Sequence, residues 1–133
     1  MLRITQHDGT VALCLHYTPP KSYGVDLFLA ADDGVIHNLH ASAMLGERTV
    51  TDDAAPTWTW WNHHDWSASV ARVTDFRTLT FAPAEATEFH IRRQRFPGRH
   101  WRLRLDVHTR EPGIVFPAGT AATHTGGWLE LKL

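Results

Sequence analysis

Residues Thr87–Thr109 read TEFHIRRQRFPGRHWRLRLDVHT. In the second half, Trp101, Leu103, Leu105 and Val107 alternate with Arg102, Arg104, Asp106 and His108. A strict period of two is the mark of a strand with one buried and one wet face. In the first half Phe89 and Ile91 alternate with Glu88, His90 and Arg92. The stretch therefore predicts two long strands joined by a tight turn, a central hairpin. Side-chain parity restricts that turn, because the apolar residues of both arms must share one face. Phe89 opposite Leu105 or Val107 meets the condition; a plain two-residue turn at Pro97-Gly98 does not. The expectation is a three-residue loop or a bulged turn, with Gly98 at positive φ.

Outward from this stretch the same signals recur. Leu2–Gln6 runs into His7-Asp8-Gly9, a hairpin cue, and Thr10–Thr18 follows with Val11, Leu13, Leu15 and Tyr17 on one face. Residues 19–24 (PPKSYG) read as a loop, since prolines cannot donate to a ladder. Strands are expected over Val25–Ala31, Val35–Ala43, Thr57–Trp61, Trp66–Val73, Arg77–Ala82, Ile114–Phe116 and Trp128–Leu133. Asp32-Asp33-Gly34 and Asn62–Asp65 read as turns, and Gly46–Pro56 and Pro117–Gly127 as polar loops. Asp52 and Asp53 suit the cap of a short helical turn. Only Ala41–Leu45 has helix propensity, and it is too short to stand alone. About ten short strands without an amphipathic helix predict an all-β chain: an antiparallel β-sandwich, or alternatively a closed β-barrel.

A chain of 133 residues fits one all-β domain spanning 1–133, and 43% hydrophobic content excludes a mostly disordered one. No apolar run approaches the ~20 residues of a membrane helix, so no membrane partner is expected. The start, MLRITQHDGT, has no apolar leader core, and a cytoplasmic location is the expectation. The single Cys14 forbids an internal disulfide and sits in an alternating strand, where an inert thiol is the simplest reading.

Two compositional oddities point to function. Four of the six tryptophans, Trp58, Trp60, Trp61 and Trp66, fall in the run TWTWWNHHDW with His63, His64 and Asp65. On a strand Trp58 and Trp60 share a face and Trp61 takes the other, so one side presents indole to solvent or to a cavity. Indole faces stack on sugar rings, bases and cations. Such a tryptophan-rich strand run resembles that of carbohydrate-binding β-sandwiches, a likeness of composition with no shared motif. The competing reading is that Trp58 and Trp60 are core and that Trp61 and Trp66 cover an edge.

The second oddity is charge. Seven arginines and one acid lie between Arg92 and Arg110, a charge of +6, which leaves −7 on the rest of a chain whose formal net charge is −1. A stripe of Arg92, Arg102 and Arg104 is the candidate surface for an acidic protein partner; the alternative is a solvated or internally paired face. The overall charge makes nucleic acid a less attractive partner.

The ten histidines form no His-x-His or His-Glu-x-x-His pattern, and His37 and His40, three apart, cannot share a strand face. His90, His100 and His108 lie beside the arginines, where cations disfavour a metal. No metal and no cofactor is therefore expected. Asp26, Asp65, Asp75, Glu88 and Asp106 are candidate acids, but no nucleophile motif, phosphate loop or dinucleotide fingerprint is present, so catalytic residues are not identified. The leading expectation is a non-catalytic module binding a saccharide or other small polar ligand through Trp58, Trp60, Trp61, His63, His64, Asp65 and Trp66. The alternatives are a small β-barrel enzyme with a His/carboxylate or metal-holding pocket, and an interaction or inhibitor domain using the basic hairpin.

Overall fold

The computed structural model describes residues 1–17, 22–51, 57–60, 65–69, 72–75, 80–82, 86–109 and 112–133, with the backbone alone for 72–75 and 80–82. These form thirteen strands: β1 (Leu2–His7), β2 (Thr10–His16), β3 (Gly24–Ala30), β4 (Ile36–Ala41), β5 (Leu45–Thr49), β6 (Thr59–Trp60), β7 (Trp66–Ser69), β8 (Arg72–Asp75), β9 (Thr80–Ala82), β10 (Ala86–Arg92), β11 (His100–His108), β12 (Ile114–Phe116) and β13 (Leu129–Lys132). One 3-10 turn, Arg93–Arg95, is the only helical element among the described residues, and no described helix is long and apolar enough to cross a membrane.

The strands make a four-stranded antiparallel sheet in the order β1-β2-β10-β7 and a seven-stranded one in the order β12-β11-β3-β4-β5-β6, with β13 also on β11. Among the described residues, strands β8 and β9 pair only with each other. Alternation supplies the inner faces: Val11, Leu13, Phe89 and Ile91 of the first sheet pack on Val25, Leu27, Leu29, Leu39, Leu103 and Leu105 of the second. This is the antiparallel sandwich that the patterning predicts, and the closed barrel is not formed.

The central hairpin is not formed either. β10 pairs with β2 and β7, whereas β11 pairs with β3, β12 and β13, so the two arms lie in different sheets. Residues 93–99 carry the chain from one sheet to the other. Phe96 plugs the core at this corner, and its carbonyl accepts the Trp101 indole N–H at 2.8 Å. Arg93 N–H donates to Gly9 O at 2.8 Å, tying the corner to the β1–β2 turn. Gly98 is at positive φ, as expected, but because it passes over Asp32: an added Cβ would sit 2.5 Å from the Asp32 carboxylate.

One expected loop differs as well. The start of the polar stretch Gly46–Pro56 belongs to strand β5, Leu45–Thr49, with Gly46 and Glu47 buried. Pro117–Gly127 is a loop, as expected, and leads into Trp128, which packs on the outer face of the large sheet against Phe28, Ala30 and Ile36 in a second small core. Trp61, His63 and His64, the Asn62–Asp65 turn except Asp65, residues 19–21 of the 19–24 loop, and Asp52 and Asp53 lie outside the described residues.

Candidate functional site

The outer face of the seven-stranded sheet carries a cross-strand row set by register: Asp106 opposite Asp26, Asp26 opposite His40, His40 opposite Gly46, and Gly46 opposite Trp60. Gly46 leaves space above β5. A Cβ there would come within 2.5 Å of the Trp60 ring, so the indole lies directly on the backbone. Trp58, two residues before Trp60 and on the same face, stacks on it with centroids 5.1 Å apart and planes 20° apart. Arg48 lies over Trp58 at 5.0 Å, a cation–π contact. Trp60 remains 43% exposed. Beneath this platform Asn38 Oδ1 and Arg48 Nε, on register partners, are buried with no hydrogen-bond partner among the described residues.

His40 stands edge-on to both indoles, 5.8 Å from Trp58 and 6.1 Å from Trp60. Its Nδ1 is 2.8 Å from Asp26 Oδ1, and His108 Nε2 is 2.6 Å from Asp26 Oδ2. Burial pushes the Asp26 pKa up, but the hydrogen bonds and positive charge of His108 and His40 outweigh it and pull it down to about 2. The hydrogen bond to Asp26 raises the His108 pKa against the opposing effect of burial. The aspartate is thus a fixed anion between two imidazoles.

His40 Nε2 lies 3.1 Å from Ser42 Oγ, which completes an Asp–His–Ser arrangement. Ser42 Oγ also accepts Met44 N–H at 3.3 Å and has two acceptors within reach of its one proton, His40 Nε2 at 3.1 Å and Met44 O at 3.3 Å.

The remaining residues singled out in the sequence are dispersed. Trp66 is 3% exposed on the inner face of β7, and its indole donates to Glu47 Oε2 at 3.0 Å. It is a core residue, and its expected place on the ligand surface is corrected accordingly. Glu47 faces inward because it also holds the Arg95 guanidinium. Asp65 sits just before β7, in the four-stranded sheet, with its carbonyl accepting Arg92 N–H at 2.7 Å. The basic stripe is divided: Arg92 is exposed on β10 in one sheet, and Arg102 and Arg104 are on β11 in the other. Arg102 faces Glu130 at 3.6 Å. Arg104 is only 6% exposed, held by Asp106 at 2.8 Å and by Thr120 O at 3.3 Å, over the Phe28 ring, so it is not available to an acidic partner.

Asp26, His40 and His108 stood in the sequence as separate residues, 14 and 82 positions apart. The one local signal was parity: His40 points outward on its strand and His37 inward. No family model matches this chain, and no curated protein and no solved structure shows significant similarity to it.

Proposed function

We propose that this protein binds a carbohydrate-like or other small polar ligand on the outer face of its seven-stranded sheet. The observation that carries the reading is the Trp58–Trp60 stack, seated on Gly46 and still open to solvent at Trp60. An indole face beside fixed hydrogen-bonding groups suits a sugar ring, which offers C–H bonds on its faces and hydroxyls at its rim. Asp26, His40 and His108 supply acceptors and donors at the edge of the platform. A stacking indole contributes about 1–3 kcal/mol, on the order of 5- to 150-fold in affinity.

The test is titration of a saccharide panel against intrinsic tryptophan fluorescence. At least one sugar should quench or shift the emission, and Trp60→Ala should abolish that response while leaving far-ultraviolet circular dichroism unchanged. Gly46→Val should do the same by displacing the ring. A flat panel, or a response that survives both substitutions, would sink the proposal.

A further inference from the structure

We propose that Asp26, His40 and His108 bind a divalent transition metal ion of the zinc class. The three residues come from adjacent strands, β3, β4 and β11, and all point to the outer face of the sheet. One donor atom from each lies within 4.8 Å of the others. Two imidazoles and one carboxylate form a three-ligand set that leaves coordination positions for water or a ligand.

Asp26 Oδ1 lies 2.8 Å from His40 Nδ1 and Asp26 Oδ2 lies 2.6 Å from His108 Nε2, so one ring nitrogen of each imidazole faces the same carboxylate. A cation seated among the three takes the place of the ring protons that those hydrogen bonds use. A tetrahedral metal ion at bond lengths of about 2.0–2.2 Å holds its ligand atoms about 3.3–3.6 Å apart, an opening of roughly 0.5–1 Å from the 2.6 and 2.8 Å contacts present. Half-exposed His108 can swing to provide it. Ser42 is the outer partner that orients a metal-bound imidazole, and the two indoles wall one side. Arg104, the arginine nearest in sequence on β11, is neutralised by Asp106 and does not oppose a cation. This inference does not depend on the saccharide reading, because none of the three ligands is a tryptophan.

The experiment is calorimetric titration of zinc into the chelator-stripped, dialysed full chain, with cobalt(II) absorption as a second probe. One equivalent should bind, and visible bands of nitrogen/oxygen coordination should appear. His108→Ala, on an exposed side chain whose loss leaves the core intact, should weaken zinc by on the order of 100-fold or more, and Ser42→Ala by about 10-fold. Asp26→Asn should act like His108→Ala. Absence of zinc binding, or a stoichiometric site unchanged in His108→Ala, would overturn the assignment and leave Asp26 simply hydrogen-bonded to the two imidazoles.

Discussion

His37 and His40 stand three residues apart on β4 and face opposite sides of it. His40 meets Asp26 on the outer face, whereas His37 packs inward against Phe96 with centroids 4.9 Å apart. Burial lowers the His37 pKa below its ordinary value of 6.5, with the Glu47 carboxylate partly opposing. The unfolded chain then takes up a proton that the folded one resists. The His37 contribution is full above 6.5, the ordinary value, and is lost as pH falls from there through the lower folded-state pKa. His108, whose pKa is raised by Asp26, acts in the opposite sense over the same range, so the His37 contribution is read as a difference: the urea midpoint of His37→Phe relative to the parent should rise from about pH 8 to about pH 5. An identical slope in the variant would show that His37 is not the group responsible. Tryptophan gives the same contrast: Trp60 and Trp66, six residues apart, are a surface platform and a core residue. Residue type alone could not separate them.

Among the elements, the corner at residues 93–99 decides the architecture. Its glycine has φ of +140° and lies against Asp32, whose Oδ2 accepts Arg99 N–H at 2.7 Å. Gly98→Ala adds backbone strain and pushes the Asp32 carboxylate from its contact. It should lower stability by about 1–3 kcal/mol in denaturant unfolding, through a lower midpoint at unchanged slope. A midpoint equal to that of the parent would mean the corner relaxes freely. Each arm of this segment was legible as a strand, because alternation follows from the pleat. The partner of each arm was not legible. The parity conflict at Pro97-Gly98 was a true signal that a simple hairpin does not fit. β5 was missed for another reason: its buried Glu47 looks polar in sequence and is satisfied by Trp66 of β7 and Arg95 of the 3-10 turn, both distant in sequence.

Over the whole molecule, the sandwich splits the arginine run between two sheets and internalises Arg104. Retention on a heparin column should therefore be weak, with elution below about 0.15 M salt and small additive effects of Arg92→Ala and Arg102→Ala. Steep retention to high salt would show that the arginines act as one patch. The split has the same origin as the candidate site. Which side chains turn inward is a local property of an extended backbone, so the order of residues was enough to predict strands, an all-β chain with sandwich or barrel left open, and the buried row Trp101, Leu103, Leu105 and Val107. Which strands become neighbours is set by burying every apolar face at once, with each edge paired, and that is a property of the complete chain. Only that global solution places β3 between β4 and β11, and so draws Asp26, His40 and His108 into contact beside a tryptophan platform.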